Sequence, residues 1–159
     1  RAMRDIVYEH MISPQNWERF RSPEDNTREM MEIFLARCID AEVPLAASVC
    51  RNWSVVYDDN GTSRIVRSAN VNTVPQQLLG TSVVTCEDFY RALANHADLI
   101  PTLATVLVNH FFNNATLETK GRLIASIVAA NPTTFDAMFS LILFSSAYLL
   151  GTARAPNAE

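Results

Sequence analysis

Residues 99–112, LIPTLATVLVNHFF, are apolar on most faces of a helix, and this stretch most constrains the fold. A helix that is apolar all round is stable only when other elements surround it, so we expect it at the centre of a helical bundle. Pro101 is acceptable there because it falls in the first turn, where its missing N–H is not needed. An amphipathic segment, 86–95, precedes it.

Composition narrows the class of protein. With 159 residues, 48% of them hydrophobic, the chain is long enough for one domain with a sizeable core. A net charge of −4 and scattered arginines leave no basic stripe for nucleic acid. The longest apolar run, 139–151, is shorter than the roughly 20 residues that span a bilayer, so we expect a core helix there rather than a membrane-docking segment.

The cysteines favour a reducing compartment, and the N-x-S/T triplets carry little weight against it. The three cysteines are Cys38, Cys50 and Cys86. Their odd number and their spacing indicate neither a disulfide framework nor a zinc site, so we expect buried free thiols. The triplets begin at Asn52, Asn60 and Asn114. Such triplets often arise by chance, and no leader pattern opens the chain, so secretion is not expected.

Helical spacing of apolar residues predicts helices along most of the remaining chain. We expect them at 3–12, from 27 to 41 or 42, at 44–59, at 116–130 and from Asn131-Pro132-Thr133 onward. Asn26 or Thr27 is the expected N-cap of the second of these helices.

Residues 53–67, WSVVYDDNGTSRIVR, fit two structures. Asn60-Gly61 between β-branched runs is typical of a hairpin with a type I′ turn. We favour a helix followed by a turn, because a lone hairpin in a helical chain has no sheet to join and two strands alone are marginal. Pro75 is expected to begin the next helix, which would continue to Leu93.

No pattern of catalytic or metal-binding residues is recognisable. His10, His96 and His110 stand apart, with neither H-E-x-x-H nor G-x-S-x-G spacing. The run 58–61, DDNG, lacks the alternating ligands of a calcium loop. We therefore expect a binding module and not an enzyme, with no metal, no cofactor and no small-molecule substrate.

Residues 88–100, DFYRALANHADLI, resemble the BH1 signature of the Bcl-2 family, roughly E-L-F-R-D-G-x-N-W-G-R-I-V, without a gap. The apolar positions agree, as do Arg91 and Asn95. Residues 131–139, NPTTFDAMF, look like the family's BH2 pattern N-G-G-W-D-A-F. Pro75 stands where the family often opens its fourth helix, and the resemblance covers about 27–150.

The chain departs from BH1 at three consecutive positions. His96 and Ala97 replace Trp and Gly, and Asp98 replaces an arginine that in the family pairs with the aspartate of a BH3 helix. Asp98 would repel that aspartate, so we expect a narrow ligand range and another cation in its place, Arg91 or Arg51. The alternative is that Asp98 is an acid favoured by the following helix N-terminus.

The resemblance implies an all-α, Bcl-2-like bundle of about seven or eight helices around a central apolar helix at about 97–112. It implies one domain, 1–159, with an N-terminal helical extension (1–24), a Bcl-2-like core (27–150) and a flexible tail (151–159). The protein is similar to viral, anti-apoptotic members that sequester the BH3 helix of a pro-apoptotic host protein. Such a protein acts in the host cytoplasm, or at the mitochondrial surface through its partner.

The BH3 groove would be formed by residues from about 49 to 103. Its implied lining residues are Val49, Trp53, Val56, Leu79, Val83, Phe89, Tyr90, Arg91, Asn95, His96, Ala97, Asp98, Leu99, Ile100 and Leu103. For several of these, and above all for Leu99 and Leu103, ordinary core packing is the alternative.

Two other functions stay open. A Bcl-2 fold without BH3 binding would act as a viral inhibitor of innate-immune signalling. A helical assembly protein would resemble the family only by accident. A homodimer is compatible with each of these, because surplus apolar surface tends to be covered.

Overall fold

The computed structural model of the chain describes residues 1–153, and they divide into two compact units. One unit is 4–99; the other comprises 1–3 and the residues from 100 onward. The described part of the chain is mostly helical, as expected, but it also contains two short antiparallel hairpins that the all-α prediction did not include.

The first helices along the chain are α1 (Met3–Met11), α2 (Pro14–Arg19), α3 (Pro23–Leu35) and α4 (Val43–Cys50). The helix predicted at 3–12 is confirmed by α1. Both α2 and α3 begin with proline after a serine cap: Ser13 Oγ accepts the Asn16 N–H at 3.2 Å and Ser22 Oγ accepts the Asp25 N–H at 3.0 Å. Proline suits the first helical position because its missing N–H would be unpaired there.

The helix predicted from 27 to 41 or 42 is wrong at both ends. Ser22 caps it, so Asn26 and Thr27 lie inside α3 and are buried rather than capping. The helix stops at Leu35 because Ala36 adopts a left-handed conformation with φ 53°.

The helix predicted at 44–59 is also wrong beyond Cys50. Residues 53–67 form a hairpin of β1 (Trp53–Tyr57) and β2 (Ser63–Arg67), in which Val55 is opposite Ile65. At the turn, Asp58 Oδ1 accepts the N–H groups of Asn60 and Thr62, and Gly61 supplies φ 78°. The hairpin is not isolated, because α2 packs against both strands.

A second hairpin replaces the beginning of the helix predicted from Pro75. Its strands are β3 (Gln76–Leu78) and β4 (Thr81–Val83), joined by Leu79 and Gly80 with φ values of 52° and 75°. Glu42 Oε2 accepts the Leu79 N–H at 3.0 Å, which ties the turn to the residue before α4. The predicted helix exists only as α5 (Cys86–Asn95).

Cys50 and Cys86 form a disulfide between the end of α4 and the start of α5, and both residues are buried. The expectation of free thiols is therefore wrong for these two cysteines. It fails because they lie 36 residues apart in sequence, and the fold brings together what spacing alone does not reveal. Cys38 is the free cysteine among the described residues.

The second unit is built from α6 (Leu99–Phe111, of which Leu99 itself belongs to the first unit), α7 (Leu117–Ala130), α8 (Phe135–Leu143) and α9 (Ser146–Ala153). The helices predicted at 99–112 and 116–130 are confirmed. The helix predicted over 139–151 is instead broken at Phe144-Ser145, between α8 and α9. Of the predicted tail, 151–153 belong to α9 and 154–159 lie outside the described residues.

The expectation that other elements surround α6 is wrong. Ala104 and Val108 are buried with Ile127 and Met138 in the core of this unit. Val106, in contrast, is 57% exposed. Polar residues follow the same exposed side of the helix: Thr105, Asn109 and His110. The helix is therefore amphipathic in its packing, despite its apolar composition.

Candidate functional site

Helix α5 carries most of the BH1-like residues, and its N-terminus is firmly capped. Thr85 Oγ1 accepts the Asp88 N–H at 3.1 Å, and Asp88 Oδ2 accepts the Thr85 N–H at 2.9 Å, which together form a capping box. The Thr85 N–H is the main reason that the pKa of Asp88 is lowered. The inner face of the helix is buried through Phe89, Tyr90 and Leu93.

Tyr90 is held in an aromatic and polar cluster inside the unit. Its hydroxyl donates a 2.6 Å hydrogen bond to Asn26 Oδ1, and Asn26 Nδ2 donates to the Phe20 carbonyl at 3.2 Å. The Trp17 and Trp53 rings lie 6.5 and 6.2 Å from the Tyr90 ring. Burial raises the pKa of Tyr90 well above its ordinary value. This cluster fixes the orientation of α5, so we assign these side chains a structural role and not a ligand-binding one.

The outer face of α5 and the second hairpin enclose an open groove of about 580 Å³, which we call the α5 groove. Its lining residues are Leu79, Thr81, Ser82, Asp88, Arg91, Ala92, Asn95, His96 and Ala97. Five of these nine belong to the groove lining that the Bcl-2 resemblance implies: Leu79, Arg91, Asn95, His96 and Ala97.

The hairpin residues Thr81 and Ser82, with Asp88 and Ala92, were missed. The available signal was Gly80, because glycine readily takes the positive φ that a tight turn needs. A turn there would have placed the residues after it on a strand beside α5.

Arg91 supplies the positive charge of the α5 groove. It is exposed, and its guanidinium carbon lies 4.2 Å from the centre of the Tyr8 ring, in a cation–π contact. Among the described residues, no carboxylate lies within ion-pairing distance of Arg91. The Arg91 guanidinium therefore has no ion-pair partner among these residues, although Asp88 of the same groove interacts with it electrostatically. An acidic group from outside would compete with that weaker interaction.

A second arginine holds the end of α5. Arg4 Nη1 donates to the Ala94 carbonyl at 2.7 Å and to the His96 carbonyl at 3.2 Å. Carbonyls at a helix C-terminus lack intrahelical partners and attract cations, so this contact stabilises the corner that follows α5.

Asp98, which replaces the arginine of the BH1 pattern, forms an ion pair within the protein. Arg37 Nε lies 2.9 Å from Asp98 Oδ2, and both side chains are about half exposed. The Asp98 N–H is donated to His96 Nδ1 at 3.1 Å. Asp98 is therefore not the unpaired negative charge that the sequence alone suggested.

Most of the expected apolar lining is buried and offers very little surface to a partner in this conformation. Exposure is at most 4% for Val49, Trp53, Val83, Phe89, Tyr90, Leu99 and Ile100. Val56 is half-buried on β1. Ile100 and Leu103 belong to the second unit, while the α5 groove belongs entirely to the first.

A smaller pocket of about 270 Å³ lies elsewhere in the first unit and includes Asn52, Trp53 and Arg67. The Arg67 guanidinium lies over the Trp53 ring at 4.5 Å and pairs with Glu87 at 3.1 Å. Its charge is thus already satisfied. This pocket is therefore a weaker candidate for a ligand site than the α5 groove.

Within residues 1–153 there is no cluster of three or more histidine, cysteine or acidic side chains that could hold a metal ion. None of the helices in this range is long and apolar enough to cross a membrane. No family model, curated protein or solved structure matches the chain.

Proposed function

We propose that the protein is a binding module that takes an amphipathic helix of a partner protein in the α5 groove. The observation that carries the proposal is Arg91, an exposed cation that forms no ion pair with Asp88, the carboxylate that lines the same groove. A carboxylate on the partner helix would form a charge-assisted hydrogen bond with this guanidinium.

The resemblance to the Bcl-2 family makes a BH3 helix of a pro-apoptotic protein the specific ligand to propose, and a Bcl-2-like bundle the specific fold. BH3 helices present an aspartate together with apolar anchors. In this proposal Arg91 replaces the arginine that the family has at the position of Asp98. The Arg37 ion pair supports this exchange, because it reduces the repulsion that Asp98 would exert on an incoming acid.

The burial of the implied lining affects how such a ligand would bind. The apolar side chains that reach the α5 groove are Leu79, Ala92 and Ala97. These offer shallow contacts, so the pair with Arg91 would supply much of the binding free energy. We therefore expect modest affinity and a narrow ligand range, with a strong dependence on ionic strength.

Calorimetric titration with a panel of BH3 peptides tests the proposal. The wild-type protein should bind at least one peptide, and Arg91→Ala should weaken that binding about tenfold or more. Arg64→Ala is the matched control, because Arg64 is an exposed arginine on β2 outside the α5 groove. Folded protein that binds no peptide would overturn the BH3 assignment.

A second candidate, the helical assembly protein, is favoured by apolar exposure in the second unit. Phe144 is 76% exposed and Leu117 is 87% exposed, which is unusual for large apolar side chains. Light scattering that finds large oligomers without BH3 affinity would support this candidate. A monomer would count against it. The remaining alternative, a signalling inhibitor with a Bcl-2 fold, would share the monomer result and lack BH3 affinity.

A further inference from the structure

Three N-x-S/T triplets and one buried disulfide are features that the proposed function does not use. The triplets at Asn52, Asn60 and Asn114 carried little weight when all the cysteines were expected to be free thiols. The disulfide between Cys50 and Cys86 makes glycosylation of these triplets more plausible, because disulfides persist mainly in oxidising compartments. In eukaryotic cells, the compartment in which disulfides form is also the one in which asparagine receives glycans.

Asn60 lies at the tip of the first hairpin. Asn60, Gly61 and Thr62 are all exposed, and no atom of the surrounding structure lies within 4 Å of a Cβ built on Gly61. The turn is held by main-chain donors to Asp58, so the Asn60 side-chain amide is not needed to maintain it. A glycan at Asn60 would project away from the fold.

Asn114 is in a similar position in the second unit. It is exposed in the turn between α6 and α7, and Thr116 of the same triplet is exposed at the N-cap of α7. The cap uses the Thr116 hydroxyl and leaves the Asn114 amide at the surface. A glycan at Asn114 would likewise project outward.

Asn52 differs from both. It is half-buried, its Nδ2 donates to the Ser68 carbonyl at 3.5 Å, and the next residue, Trp53, is buried in the aromatic cluster. Asn52 also lines the smaller pocket. A glycan there would displace this contact and fill the pocket.

We propose that Asn60 and Asn114 accept N-linked glycans, and Asn52 does not, when the chain folds in an oxidising compartment. The transfer joins the asparagine Nδ2 to the anomeric carbon of an oligosaccharide carried on a polyprenyl diphosphate. The anomeric C–O bond to the diphosphate breaks, the amide loses one proton, and the lipid diphosphate leaves.

This inference does not rest on the proposed function, although it moves the encounter with a partner out of the cytoplasm that the resemblance implies. The chain could bind BH3 peptides in solution and also be glycosylated in cells. In that case the natural ligand of the groove would be another helix with the same acidic chemistry. The two proposals fail separately, because one is measured by peptide affinity and the other by glycan occupancy.

The test is expression of the chain behind a cleavable secretion leader in cultured animal cells, with gel mobility and mass spectrometry before and after an N-glycosidase. We expect two glycosidase-sensitive steps. Asn60→Gln and Asn114→Gln should each remove one step, and Asn52→Gln should remove none. Thr62→Ala tests the Asn60 triplet while leaving the turn asparagine in place.

Absence of any glycosidase-sensitive step, or loss of a step in Asn52→Gln, would overturn the proposal. Alkylation of the unfolded, unreduced protein provides the second arm of the test. It should label one cysteine, Cys38, because Cys50 and Cys86 are joined. Labelling of three cysteines in protein recovered from the secretory route would also overturn it.

Discussion

Arg37 and Asp98 form an ion pair at the corner after α5, with Arg37 Nε 2.9 Å from Asp98 Oδ2. Since both side chains are about half exposed, the pair adds at most about 1 kcal/mol to folding stability. Its larger consequence is electrostatic, because it offsets the negative charge at the position where the Bcl-2 family has an arginine. An acidic ligand at Arg91 is then less strongly opposed.

Arg37→Ala tests that consequence. We predict a change of less than about 1 kcal/mol in the free energy of unfolding. The affinity for a carboxylate-bearing BH3 peptide should fall about two- to fivefold, because Asp98 is no longer neutralised. Adding Asp98→Ala should restore the affinity, measured by calorimetry at low salt. A double variant as weak as Arg37→Ala alone would contradict this role.

Tyr90→Phe should destabilise the first unit. The substitution leaves the buried Asn26 Oδ1 without the hydrogen bond that Tyr90 donates at 2.6 Å, and such a loss costs about 1–3 kcal/mol. Tyr57→Phe is the control, because Tyr57 is 44% exposed on β1. Urea unfolding followed by tryptophan fluorescence measures both. Equal midpoints for the two variants would refute the assignment.

The capping box at α5 predicts a pH dependence. The pKa of Asp88 is lowered in the folded state, chiefly by the Thr85 N–H. Its contribution to stability is therefore present above the unfolded pKa, about 3.9, and is lost as pH falls through the lower folded value. Asp88→Asn should be less stable than wild type at pH 7, with the gap closing in strong acid. A gap that is constant with pH would exclude the cap as its source.

Removing the disulfide should have the largest effect on stability. Cys50 and Cys86 are 36 residues apart, and the entropy of closing such a loop corresponds to about 4 kcal/mol. The double variant Cys50→Ser/Cys86→Ser should lower the free energy of unfolding by roughly that amount, and a reductant should then have no further effect. Cys38→Ser should change it by less than about 1 kcal/mol. A wild-type midpoint that is insensitive to reductant would show that the bond is absent.

The helices that were predicted correctly rest on local patterns: periodic apolar residues at 3–12 and 116–130, and a long apolar run at 99–112. Local patterns of this kind can be recognised in a single sequence, without knowledge of the structure. Helix α2, Pro14–Arg19, is too short to show a period and was missed. Helix α2 is also the element that packs against the first hairpin. Without it, a hairpin at 53–67 has nothing to pack against, and a helix at 53–59 is the favoured prediction. The error in one element thus caused the error in the next.

The candidate site could be predicted only in part, for a related reason. Arg91, Asn95 and His96 were identified through the BH1 resemblance, and all three line the α5 groove. Apolar positions such as Val83 and Phe89 were assigned to the same groove, yet they are buried. A sequence shows that a position is apolar, but whether it faces a groove or the core depends on long-range packing.

The central claim is that Arg91 binds an acidic residue of a partner helix. Swapping the two charges between protein and peptide tests this claim most directly. Calorimetry would compare wild type and Arg91→Glu, each with the best-binding BH3 peptide and with the same peptide carrying lysine in place of its aspartate. We predict that each single change weakens binding about tenfold or more and that the two changes together restore most of the affinity. Additive losses without restoration would contradict the claim.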